Sequence, residues 1–171
     1  MTKPGSGAAP PFAKRLLSDE IVELMGSGVD VYVATRDAQM MPESMLAMGL
    51  EPHGDRAGVT VYLPANLAQA TLKNLEANAA IAVTLSRASD HRTLQLKGKC
   101  QRVRPSTDAD REKQLVFRAA LTEQLAFVGV PRSATRRLVW WPSIAVEVAV
   151  SDVFVQTPGP RAGERWSGPS P

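Results

Sequence analysis

Residues 59–103, VTVYLPANLAQATLKNLEANAAIAVTLSRASDHRTLQLKGKCQRV, hold the pattern from which the fold is read. Residues 59–63 alternate in polarity and are β-branched or aromatic, which predicts a strand. At Pro64 the period changes. Leu67, Thr71, Leu72 and Leu75 recur at helical spacing between Asn66, read as the N-cap, and Asn78, read as the stop, so a helix packed by its leucine face is predicted over 64–78. Residues 81–85 return to strand, and 91–104 form a long strand in which Gly98 marks a bulge or a close backbone approach.

The same reading extends outward in both directions. Ser18 caps a short helix whose first turn carries Asp19 and Glu20 and which ends at Gly26 or Gly28. A strand at 29–35, a turn at 36–39, a second strand near 43–51 and a turn at 53–56 then complete an antiparallel meander. Beyond the decisive stretch, the longest helix is expected over 107–128, with Leu115, Leu121, Leu125 and Val128 inward and Asp108, Asp110, Arg111, Glu112 and Lys113 outward. Residues 144–150 and 153–155 supply a last strand or strand pair. About six strands with short connections and no βαβ rhythm predict a mainly β fold, an antiparallel barrel with attached helices.

At 171 residues the chain is sized for one domain, expected over 16–156, between a flexible tail at 1–15 and a Pro/Gly-rich tail at 157–171. No apolar run reaches the ~20 residues of a membrane-spanning helix, and no secretory signal is read in the first fifteen residues. A lone Cys100 fits a reducing compartment, so a cytoplasmic location is expected. The net charge of +3 does not describe the body. The tails hold five of the 20 basic residues and one of the 17 acidic ones, which leaves the centre nearly neutral and disfavours a nucleic-acid partner.

With two histidines and no Gly-x-Ser-x-Gly, His-Glu-x-x-His, Walker or Gly-x-Gly-x-x-Gly motif, hydrolase, zinc and Rossmann chemistry have no residues to stand on, and no metal is expected. Two places remain. Where the strand at 59–63 feeds the helix near Asn66, backbone N–H groups converge as in a generic phosphate site, with Asn66, Gln69, Thr71 and Lys73 nearby; helix capping is the plainer use of these residues. Alternation along 91–104 puts His91, Thr93, Gln95, Lys97 and Lys99 on one face, either solvated or lining a cofactor groove. Cys100 is read as a small apolar group, His53 as an exposed turn residue, and Trp140 and Trp141 as packing.

In order and content, the 59–103 run resembles the central part of the pyridoxamine 5'-phosphate oxidase-like, FMN-binding split-barrel family. The ending VFVQTPGPRAG resembles a signature of one branch of it, so the likeness spans roughly 29–163. It implies a six-stranded split barrel, a homodimer, and FMN in a groove at the dimer interface with its phosphate at the helix start. Pro64, Ala65, Gln69, Ala70 and Thr71 fall where oxidases of the family contact the cofactor, and Thr93 where they present a Gln to the flavin. Those oxidases carry Ser-Arg-Lys at the positions of Gln69, Ala70 and Thr71, which leaves Lys73 and Lys97 as the cations here. Arg165-Trp166 echoes their substrate-binding pattern only superficially, so pyridoxamine phosphate oxidase activity is not expected. The resemblance supports a flavin-dependent oxidoreductase, with a non-enzymatic split barrel that has lost FMN and binds haem, another small ligand or a partner protein as the alternative.

Overall fold

A computed structural model describes residues 16–167, and the tail expected at 1–15, with the mobility expected of 1–10, lies outside them. Helix α1 (Asp19–Gly26) starts as read: the Ser18 hydroxyl accepts the Ile21 N–H at 3.4 Å, and Ile21, Leu24 and Met25 are buried. Strand β1 (Asp30–Arg36) follows, with Val31, Val33 and Thr35 inward.

The second strand corrects the sequence reading. The run expected as one strand near 43–51 is β2 (Pro42–Ala47) and β3 (Leu50–Pro52), parted by a corner at Met48 and Gly49, so the sheet has seven strands and not six. Gly49 permits the corner because a Cβ there would lie 2.9 Å from side-chain atoms of Tyr62 and Gln114. The remaining elements are β4 (Gly58–Pro64), α2 (Gln69–Asn78), β5 (Ala80–Ser86), β6 (Thr93–Pro105), α3 (Asp108–Phe127), α4 (Arg132–Arg136) and β7 (Ser143–Val155). The last is one continuous strand.

All pairings are antiparallel, in the order β2-β1-β5-β6-β7-β4-β3. The two outermost strands are halves of one segment, so the sheet curls into a half-barrel. At the corner Met48 N–H donates to Tyr62 O at 2.8 Å and Tyr62 N–H to Gly49 O at 3.0 Å. Past the corner β2 and β4 part, and α2, leaving the end of β4, packs against β1, β2 and β5. Inside, Val33, Val61, Leu85 and Leu96 are at most 1% exposed, each contributing roughly 1.5–3 kcal/mol of apolar burial. Gly98 is the close approach expected of it: the β6–β7 register shifts there, and a Cβ would meet Ala149 O at 2.1 Å.

Helix α3 is capped by a Thr107/Asp110 capping box, but its phase differs from expectation. Asp110, Gln114, Phe117 and Leu121 face inward, while Leu115 and Val128 are more than 40% exposed. The reason is the side chain of Asp110. Its carboxylate accepts from Arg104 Nη1 at 2.6 Å, from Tyr62 Oη at 3.0 Å and from Thr107 N–H at 2.8 Å, tying the helix start to β4 and β6. The chain after β7, read as a tail, returns along it: Trp166 N–H donates to Val153 O at 2.8 Å, and Phe154 bridges to Arg165. No helix among the described residues is long and apolar enough to cross a membrane.

Candidate functional site

The strand-to-helix junction forms through backbone contacts. Pro64 ends β4, Ala65 N–H donates to Pro142 O at 2.9 Å, and Leu67 N–H closes a turn onto Pro64 O at 3.1 Å. Helix α2 begins only after Ala68, without a side-chain cap, so Asn66 is an exposed turn residue and not the N-cap read from the sequence. Leu67 is 60% exposed, and the buried side chains of α2 are Thr71, Asn74 and Leu75, not a leucine face.

Thr71 is fully buried, and its hydroxyl is already committed. It donates to Glu43 Oε2 at 2.7 Å; Thr35 Oγ1 donates to the same oxygen at 3.0 Å and accepts from Asn74 Nδ2 at 3.0 Å. Beside this relay a cavity of about 350 Å³ lies under the β1–β2 turn, lined by Asp37, Gln39, Met41, Glu43, Ala70 and Lys73 among others. The Asp37 carboxylate holds that turn by accepting the N–H groups of Gln39 and Met41 at 2.9 and 2.8 Å. Two carboxylates therefore face one lysine. Glu43 was not singled out in the sequence, although alternation along β2 from Ala47 places it on the barrel's inner side.

A flavin phosphate does not fit these residues. Glu43 reaches the first turn of α2 through Thr71, and a carboxylate there opposes a second negative charge at the helix start. The helix dipole returns about 0.3–1 kcal/mol at an exposed start and no more than ~2 kcal/mol. Ala70 adds no charge here, and Lys73 is a single exposed cation.

Thr93, Gln95 and Lys97 lie elsewhere, on the outer face of the sheet. Thr93 pairs with Ser86 across the β5–β6 ladder at 2.9 Å, Gln95 Nε2 donates to Thr84 Oγ1 at 3.2 Å, and Lys97 Nζ stands 4.7 Å from the centre of the Phe154 ring. No hydrogen bond or ion pair among the described residues joins this group to the junction group of Pro64, Ala65, Asn66, Gln69, Thr71 and Lys73. Register places Tyr32, Thr84, Gln95 and Phe154 in one outward row and Ala34, Ala82, Lys97 and Asp152 in the next. A second cavity, about 390 Å³, opens on the lower row between Arg36 and Lys97.

A third cavity, about 550 Å³, lies where the returning 157–161 segment and Trp166 face Arg92 and Glu20, which form an ion pair. Part of the stretch read as a Pro/Gly-rich tail thus walls this cavity near the start of β6. Cys100 is half-buried against the core, and burial pushes its thiol pKa up, as suits a packing role. His53 Nε2 stands 3.0 Å from Thr60 Oγ1.

The geometry defines a class: an antiparallel half-barrel whose open side is filled by the helix leaving its inner strand. No protein-family model matches the chain, and no curated protein matches it significantly in sequence. Solved structures do share the fold. A provisionally named pyridoxamine 5'-phosphate oxidase from Lactobacillus delbrueckii superposes with a TM-score of 0.52 at 16% identity, over 83% of this chain and 96% of that one. HupZ from Group A Streptococcus gives 0.52 at 17%, over 86% and 100%, and an FMN-binding protein from Syntrophomonas wolfei gives 0.51 at 12%, over 82% and 86%. The fold is that of the pyridoxamine 5'-phosphate oxidase-like, FMN-binding split-barrel proteins.

Proposed function

We propose that this chain is a small-ligand-binding split-barrel protein that does not hold FMN by its phosphate, the second of the two readings raised by the sequence. The Glu43 carboxylate hydrogen-bonded to Thr71 carries the reading, since it sets a negative charge where the fold's cofactor phosphate is expected. Among the described residues Lys73 is the sole cation lining the junction cavity.

Titration with FMN, followed by quenching of flavin fluorescence, tests it. Wild-type protein is expected to show no binding below about millimolar FMN, whereas Glu43→Gln combined with Ala70→Arg and Thr71→Lys restores a cationic cradle worth about 1.5–3 kcal/mol per charge-assisted contact. Micromolar binding by the wild type that the triple substitution fails to tighten would overturn the reading.

The protein acts as a homodimer in the cytoplasm. The upper outer row supports the pairing: Tyr32 is 47% exposed beside half-buried Thr84, Gln95 and Phe154, the kind of surface a second copy covers. Light scattering at low micromolar concentration is expected to give twice the chain mass of 18.4 kDa, and a single-chain mass refutes the dimer.

A further inference from the structure

The cavity on the outer face differs in charge from the one at the junction. It is about 390 Å³, with Arg36 and Lys97 at its margins and Ala34, Ala80, Ala82 and Gly98 as its floor. No carboxylate lines it. Ladder register puts Ala34 beside Ala82 and Ala82 beside Lys97, so two cations, Arg36 and Lys97, flank a floor of methyl groups, with Lys99 on the register partner of Ala80 just outside the lining.

These cations lack the usual compensation. Among the described residues, neither Arg36, Lys97 nor Lys99 forms an ion pair. The two acids placed to neutralise them are engaged elsewhere. Asp152, the register partner of Lys97, is held by Arg165 at 2.8 Å and by the Ser151 hydroxyl at 3.0 Å. Asp37, next to Arg36 in sequence, spends its carboxylate on the β1–β2 turn, and Arg36 Nη1 reaches only its carbonyl, at 3.3 Å. Lys99 Nζ donates to another carbonyl, Asn78 O, at 3.3 Å. The Lys97 ammonium, though it stands over the Phe154 ring, and the Arg36 guanidinium carry no carboxylate partner, and cations so placed beside an apolar floor recognise an anionic head on a flat body.

We propose that this cavity binds a single-ring organic oxyanion, its phosphate or carboxylate held between Arg36 and Lys97 and its ring laid on Ala34, Ala80 and Ala82. A cavity of about 390 Å³ has room for one ring and its head group. The inference stands apart from the reading of the junction, because it uses different residues on a different face. Both phosphate and carboxylate satisfy the geometry; the guanidinium of Arg36 presents paired donors to either, and Lys97 adds a point charge.

The test is titration of the full-length protein, labelled at alanine methyls, with phenyl phosphate, with benzoate and with the neutral benzyl alcohol, followed by NMR. Saturable shifts at Ala34, Ala80 and Ala82 are expected with at least one of the two anions at submillimolar concentration, and the tighter anion identifies the head group. The combined Arg36→Gln and Lys97→Gln substitution is expected to weaken binding by at least about tenfold, as loss of charge-assisted contacts requires, while Lys73→Gln leaves it unchanged. Both altered side chains sit on the outer surface, and an unchanged thermal midpoint shows that the fold survives. The proposal fails if benzyl alcohol binds as tightly as the anions, if the double substitution keeps wild-type affinity, or if the three methyls do not shift. Because FMN is scored at the junction and these probes at the outer face, one proposal can fail while the other stands.

Discussion

Asp110→Ala is expected to destabilise the protein by about 3 kcal/mol, near the lower end of the cost of breaking a buried ion pair, because Arg104 keeps some access to water. One carboxylate joins three elements: it accepts from Tyr62 on β4, from Arg104 on β6 and from the Thr107 N–H that opens α3. Removing it leaves the Arg104 guanidinium with Glu147 at 3.3 Å and the Tyr62 hydroxyl with Glu51 at 3.0 Å, and takes away half the capping box. In a chain of this size the thermal midpoint should fall by roughly 6–12 °C.

The pH dependence follows from the same contacts. The Arg104 guanidinium hydrogen-bonded to Asp110 holds its carboxyl well below the usual carboxylate range, the Thr107 and Tyr62 donors adding to the effect against the opposing cost of burial. The folded-state pKa is depressed, so this stabilisation is complete above the unfolded value of about 4 and is lost as pH falls from there toward the folded value. Urea melts at neutral pH and near pH 3 should show the wild type losing part of this increment while Asp110→Asn, which cannot titrate, does not. A neutral-pH loss below about 1 kcal/mol for Asp110→Ala would show the network to be incidental.

Gly98→Ala is expected to cost about 2–4 kcal/mol for a different reason, steric overlap in a packed ladder. The new methyl carbon would lie 2.1 Å from Ala149 O and 3.0 Å from Ala149 C. Both are backbone atoms, so no rotamer change relieves the overlap, and β6 must move away from β7 where the register already shifts. Denaturant midpoints measure the loss. A Gly98→Ala protein within 0.5 kcal/mol of wild type, the usual range for a neutral surface substitution, would mean that the strands part more easily than this spacing allows.

The residues show which parts of the fold were legible in the sequence. Ser18, the alternation of β1, β4 and β5, and Gly98 could be read locally because each is decided by its own side chain or its immediate neighbours. The corner at Met48 and Gly49 had one local sign, a glycine inside a strand-like run, but what bends the chain there is its contact with Tyr62, thirteen positions on. Asp110 was read as solvated because an acid in a helix's first turn usually is; only Arg104 and Tyr62 make it a buried hub. The candidate site divided in the same way. Lys97 was found from alternation, whereas Arg36 was hidden in a stretch read as a turn, and Asn66 had the right chemistry for a cap at a place the helix does not reach. Glu43 matters only because α2 brings Thr71 against it, and no spacing rule connects two residues 28 apart.

The position of α2 also bears on how the protein stays in solution. A half-barrel leaves a strand border with unpaired N–H and C=O groups, and such a border is a template on which another chain can add a strand. Here β2 is one of the two outermost strands, and α2 packs across β1, β2 and β5, fastened by the Thr71–Glu43 and Asn74–Thr35 hydrogen bonds. The same four side chains therefore hold the helix on the sheet beside that outermost strand. A substitution that breaks either contact must supply another fastening for the helix, or loosen it from the sheet it covers.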